Sequence, residues 1–252
     1  MKQFLKKSGA VRAAAAAARA GADDLRRMKW ALGRRGKIAA YLRAHPSPKL
    51  QIGTSKTPLP GWLNTDLTPE LPEVVYLDAT RPFPFVGDVF DCVASEHMIE
   101  HVPHADGVAM LRECFRVLKP GGKIRLATPD LRMLAGLIAP EKTAQQKEYV
   151  DWIIAREMPE VDECRAVFVL NNAFRAWGHQ FLFDLETLKQ TMTQCGFENL
   201  KNFPPGESDD PALRGLEAHG RAVGNEAMNR FETIIVEGRV PAAKKSPHGK
   251  SQ

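Results

Sequence analysis

Four groups of residues in this 252-residue chain have the types and spacing to do chemistry. The densest is Glu96-His97-Met98-Ile99-Glu100-His101, two imidazoles and two carboxylates in one short run. Imidazoles exchange protons near neutral pH. His97, Glu100 and His101 also spell H-x-x-E-H. On a long helix that pattern sets two histidines on one face for zinc, with the glutamate as base. The second group is a pair of acids, Asp66 and Asp78, each closing a short run that reads as a strand. A carboxylate there can accept from both hydroxyls of a ribose. An acid beside a free backbone N–H, as Asp78 is beside Ala79, can hold an exocyclic amine. Turn-forming or capping acids suit both positions as well. Gly53 is the third feature, closing KLQI, because glycine permits a tight turn and a close backbone approach to a ligand. The residues that follow are Thr54 and Ser55, which is not G-x-G-x-x-G, so the glycine alone is a weak signal. The fourth is Trp177-Gly178-His179. Its indole can offer an apolar wall or a sugar-stacking face, and a core Trp beside a hydrogen-bonded His reads equally well.

The elements that must carry these residues alternate. Strands are expected at Lys49–Gly53, a brief run before Asp66, Glu73–Leu77, Phe90–Ser95, Ile124–Thr128, residues 198–203 and Phe231–Glu237. Met110, Leu111, Cys114, Phe115 and Leu118 form the apolar face of a helix that Pro120-Gly121-Gly122 should stop. Residues 141–175 are helical in pattern, with Tyr149, Trp152 and Ile153 as packing residues, and Asp184 should cap the amphipathic run LETLKQTMTQ. Strands joined by helices, with polar groups gathered at their C-terminal ends, describe an open α/β sheet whose ligands sit at that edge. The H-x-x-E-H stretch leaves a buried strand and meets Pro103 two residues later. That is too short for a zinc-peptidase helix, so no metal is expected.

Taken together, KLQIG, GWLNTDL, VVYLDAT, FDCVASEHMIEH and LRECFRVLKPGGKIRLATPDL resemble the class I S-adenosylmethionine-dependent methyltransferases. The likeness spans residues 37–238 and leans toward a bacterial branch associated with polysaccharide or glycan biosynthesis. It implies a Rossmann-like, seven-stranded, mostly parallel sheet with the last strand antiparallel. It also implies S-adenosyl-L-methionine as cofactor, with Gly53 under its methionine part, Asp66 on the ribose, and Asp78 and Ala79 at the adenine. Ser55 replaces the second glycine of the family's first motif, and a Pro-rich loop replaces its usual first helix. Ser95, Glu96 and His97 lie where cofactor meets acceptor. A hydroxyl acceptor gains from a base; His101 is the first candidate, then His97 and His179, with Glu96 orienting and Trp177 and Asp130 on the acceptor side. A helix-start histidine bonded to backbone explains His101 about as well. The function expected is methyl transfer to a small hydroxylated acceptor such as a saccharide. The alternatives are a non-catalytic module that keeps the fold and, third, a zinc hydrolase.

Residues 1–45 hold twelve Lys/Arg against two Asp/Glu, whereas the rest is acidic by 28 to 23, so the basic balance belongs to the arm. The arm is rich in Ala and Arg and reads as two or three helical pieces broken near Gly21 and Gly33–Gly36. Residues 1–36 form an extension that could meet an anionic partner or membrane surface; 141–180 cover the sheet, 204–230 are a polar insertion and 239–252 a disordered tail. A nucleic-acid partner is not expected. No signal peptide or membrane span is legible. The four cysteines lack metal or disulfide spacing and read as buried reduced thiols of a cytoplasmic protein.

Overall fold

A computed structural model describes residues 2–243, and the side chains from residue 21 onward. Seven strands form one sheet in the order β3-β2-β1-β4-β5-β7-β6. They are β1 Lys49–Ile52, β2 Leu63–Asp66, β3 Val75–Tyr76, β4 Phe90–Glu96, β5 Leu118–Pro129, β6 Glu198–Phe203 and β7 Thr233–Arg239. The first five run parallel, and β7 lies antiparallel between β5 and β6. This is the expected fold. The central strands are buried on both faces: Leu50, Ile52, Val93, Ile124 and Leu126 make an apolar layer on one, and Gln51 and Arg125 are buried on the other, as parallel strands covered on two sides require. The helices are α1 Lys2–Ala44, α2 His104–Val117, α3 Leu131–Gly136, α4 Ala144–Glu157, α5 Ala166–Arg175, α6 Leu185–Gln194, α7 His219–Ala222 and α8 Glu226–Glu232.

Several boundaries differ from the sequence expectation. The arm is one helix, α1, without breaks at its glycines. Each interior Gly costs about 1 kcal/mol, which flanking Ala, Leu and Arg absorb. Its last turns belong to the body: Trp30 stacks on Tyr76, Lys37 Nζ donates to Pro72 O, and Ile38 is buried. Leu25, Met28 and Leu32, by contrast, are exposed. Helix α2 ends at Val117 rather than at the prolyl-glycine run, and Leu118 already pairs with Phe90. Lys119 precedes Pro120 and is disfavoured in the α region, so the chain leaves the helix early. Strand β3 is shorter than expected, and Phe231 and Glu232 close α8 instead of opening β7. Asp184 does cap α6, accepting from Thr187 N at 2.8 Å. Cys92, Cys114 and Cys195 are buried thiols, but Cys164 is exposed in the connection between α4 and α5. The expected tail begins too early: Val240 is buried and donates to Gly122 O, while residues 244–252 lie outside the described residues. Among the described residues no helix is long and apolar enough to cross a membrane.

Candidate active site

The C-terminal ends of the parallel strands open onto a cavity of about 430 Å3. Its floor is the turn Gly53–Thr57 after β1 and the segment Glu96–His101 after β4. Tyr149, Trp152, Ile153, Arg156 and Glu157 of α4 form one wall, Trp177 and His179 another, and His219 with Glu232 close the far side. Gly53 has φ +75°, and a β-carbon there would lie 2.5 Å from Met98 Cγ. The turn therefore needs glycine for its conformation and for the approach of the next segment. Three of the five non-glycine residues with positive φ, Ser55, His97 and Trp177, are on the cavity wall. Backbone strain of this kind collects where a site over-determines its residues.

Burial organises the charges. Glu100 is fully buried. Its Oε2 accepts from Thr128 Oγ1 at 3.0 Å, while Oε1 lies 3.2 Å from His97 Nδ1 without an aligned hydrogen bond. His97 Nε2 meets Thr233 Oγ1 at 3.1 Å and Asn229 Nδ2 at 3.2 Å. Burial would lower the His97 pKa, but the Glu100, Glu232 and Glu96 carboxylates outweigh it and hold it above its ordinary value. Burial would likewise raise Glu100, and the imidazole beside it pulls its carboxyl below the usual range. His219 stacks on His97 with ring centroids 4.1 Å apart, and burial pushes it down to about 4. Burial also lowers His179. Its Nδ1 donates to Ala173 O at 2.7 Å, leaving Nε2 as the free acceptor. Tyr149 donates its hydroxyl to Glu232, and burial raises both groups.

Of the residues singled out from the sequence, the cavity brings together Gly53, Ser55, Glu96, His97, His101, Trp177 and His179. Glu96 is largely engaged elsewhere: its carboxylate accepts from the Ala218 and His219 amides at 2.9–3.1 Å and so clamps the 204–230 insertion to β4. Asp130 is not on the wall; it is the N-cap of α3, accepting from Arg132 N at 2.8 Å. Ser95 is buried with its hydroxyl unpartnered, away from this cavity. Asp66 and Asp78 stand at the same edge of the sheet on neighbouring strands, yet neither lines the cavity. Asp66 accepts from Ser55 N and Thr68 N, both at 2.8 Å. Asp78 and Ala79 follow β3 one residue on, after Leu77, and Asp78 Oδ1 accepts from the Thr80 amide and hydroxyl. The residues present suit an adenosyl sulfonium cofactor. Thr54 Oγ1 is buried beside the Gly53 turn with no partner, and Asp66 is tied to that turn through Ser55. Sequence reasoning missed His219, Glu232 and Arg156. They reach the cavity from the insertion, from α8 and from α4, and no local pattern marks them.

Comparison with known proteins finds the following likenesses. Residues 32–126 match the methyltransferase domain family. A ubiquinone biosynthesis O-methyltransferase of Xanthomonas oryzae pv. oryzae is 54% identical over 39 residues, 16% of each chain. A ubiquinone/menaquinone biosynthesis C-methyltransferase of Cronobacter sakazakii is 30% identical over 131 residues, 52% of this chain and 48% of that protein. The matches thus span half or less of these relatives. Among solved structures, a SAM-dependent methyltransferase from Archaeoglobus fulgidus aligns over 84% of this chain and 93% of its own, at 16% identity and a TM-score of 0.41.

Proposed function

We propose that this chain, a class I S-adenosylmethionine-dependent methyltransferase by family match and sheet topology, methylates a small hydroxylated acceptor held in the cavity above Gly53–Thr57. The observation that carries the reading is the meeting of the Gly53 turn and four imidazoles, those of His97, His101, His179 and His219, in one strand-edge cavity. When bound, the cofactor supplies an electrophilic methyl on a positively charged sulfur. The chain's own task is to position the acceptor and exclude water. Gly53–Thr57 and Thr54 Oγ1 form the cofactor side, with Asp66 and Asp78 at the adjoining strand tips. His179 offers a neutral imidazole whose Nε2 is free to take a hydroxyl proton, and His101 stands beside it with ring centroids 5.0 Å apart. His97 is committed at both nitrogens and acts by holding Glu100 in place.

The acceptor has a flat apolar face. Trp177, 45% exposed at the rim, suits stacking against a saccharide ring. A phenol is the second reading: Leu134, Tyr149, Trp152 and Ile153 make a continuous apolar wall, and the relatives above carry ubiquinone-biosynthesis names. Calorimetry with S-adenosylhomocysteine tests the cofactor half, and no binding at millimolar concentration rejects it. Labelled-methyl transfer to parallel panels of saccharides and phenols then separates the acceptors.

A further inference from the structure

We propose that Glu100, His101 and His179 form a binding site for a divalent metal of the zinc type, open on its cavity side to an exogenous oxygen ligand. One ligand atom from each lies within 4.8 Å of the other two. In a zinc site, metal–ligand distances of about 2.0–2.2 Å put the ligands roughly 3.3 Å apart. Small side-chain rotations of the two histidines close that difference. Two imidazoles and a carboxylate are the donor set that zinc accepts, with the fourth position left to water or substrate.

Each ligand is prepared in a different way. Glu100 has no exposed surface; its Oε1 is answered by the His97 imidazole 3.2 Å away without an aligned hydrogen bond, and a carboxylate oxygen keeps lone pairs for a second partner. Thr128 on Oε2 and His97 beside Oε1 fix its rotamer. His179 is oriented by its Nδ1–H on the Ala173 carbonyl, so Nε2 presents its lone pair. A backbone carbonyl behind the ligating ring is how metal-bound histidines are usually held. The His101 ring meets that of His179 edge-on, at 70° between planes, and makes no side-chain hydrogen bond among the described residues. A second trio, His97, His219 and Glu232, is equally close. Its donors are engaged: His97 Nε2 by Thr233 and Asn229, Glu232 by Tyr149. The rings of His97 and His219 also lie stacked within 20° of parallel, so their lone pairs do not converge on one point.

The ligand set differs from the H-x-x-E-H pattern. His97 supports from behind, and the third ligand comes from His179, 78 positions after His101. Resting on the methyltransferase reading, the site would hold the acceptor hydroxyl by its oxygen as the fourth ligand. With His179 Nε2 on the metal, the metal takes over from that ring as activator of the hydroxyl: it fixes the oxygen's position and favours its deprotonated form, and the proton leaves to water.

The test is a Co2+ titration of the chelator-treated full chain. One equivalent should give intense visible ligand-field bands that Zn2+ abolishes and added azide shifts. His101→Ala and His179→Ala should each weaken Co2+ binding at least about tenfold, with circular dichroism showing an intact fold, while His219→Ala leaves it unchanged. Absent bands, or loss in His219→Ala and none in His179→Ala, overturn the site; bands that azide does not move overturn its open position. S-adenosylhomocysteine calorimetry on the same samples separates the two readings. Cobalt binding without it leaves the metal site standing, and its binding without cobalt removes the metal site alone.

Discussion

Strand β5 carries a buried polar cluster on each of its two faces, and the two differ in kind. On one face Arg125 is 2% exposed. Its Nε donates to Glu217 at 2.6 Å, and its Nη1 donates to Glu237 at 2.5 Å and to Glu207 O at 2.9 Å. Those carboxylates are occupied in turn, Glu217 by Gly206 N and Glu237 by Ser208 Oγ. On the other face Thr128 donates to Glu100, which leads through His97, His101 and His179 into the cavity. The Arg125 cluster is answered by protein at Nε and Nη1, with Nη2 buried and without a hydrogen bond, and it joins β5 and β7 to the 204–230 insertion. The Glu100 cluster leaves one carboxylate oxygen ion-paired but without an aligned hydrogen bond, and the His179 Nε2 free. A buried charge held between two opposite charges from distant segments locks a fold, whereas a buried pair that lines a cavity is poised for a ligand.

The sharpest way to break this contrast is Arg125→Ala. It strands two buried carboxylates, and a loss of about 3–5 kcal/mol in denaturant unfolding is expected. A change under about 1 kcal/mol would deny the cluster its locking role. The mirror experiment is His179→Ala, for which methyl transfer should fall by about 10²–10⁴ whether the ring takes the proton itself or holds the metal that activates the hydroxyl, with a melting temperature close to that of the parent chain. Equal losses of stability at both sites would erase the distinction. Gly53→Ala should follow in size: the added methyl meets Met98, and the positive φ strains any L side chain. S-adenosylhomocysteine affinity and stability should drop together, and adding Met98→Ala should recover only part, since the backbone strain remains.

Two smaller effects calibrate the frame outside both clusters. Asp184→Ala removes the α6 cap and should cost about 1 kcal/mol. Glu113 is held below its ordinary carboxylate range, chiefly by its hydrogen bond from Arg116 and with help from Phe83 N. Its folded-state pKa is depressed, so its contribution is present above the unfolded value and lost as pH falls through the folded one. The stability gap between the parent chain and Glu113→Gln should therefore hold near neutrality and shrink in acid; a gap that widened in acid would contradict the assignment.

Much of the frame was legible before any coordinates. The alternation of apolar runs with helical periods, the glycine after KLQI and the acids after β2 and β3 follow local rules of burial and turn geometry. So does the Asp184 cap. The site was half legible. Ser55, His97, His101, Trp177 and His179 reach one cavity, but Asp130 is spent on capping α3 and Glu96 on clamping the insertion. A sequence shows that a residue can accept hydrogen bonds and not which donors will reach it first. Arg125 looks out of place in the apolar run IRLAT because its partners lie 82 to 112 positions away.

By itself, the sequence determined where the seven strands and the longer helices of the body lie and that polar groups collect at one sheet edge, because period and turn chemistry act over a few residues. Tertiary structure decided which of seven histidines share a cavity. It brought ligand atoms of Glu100, His101 and His179 within 4.8 Å of one another and gave Asp130 to a helix end, because those outcomes depend on packing between elements far apart along the chain.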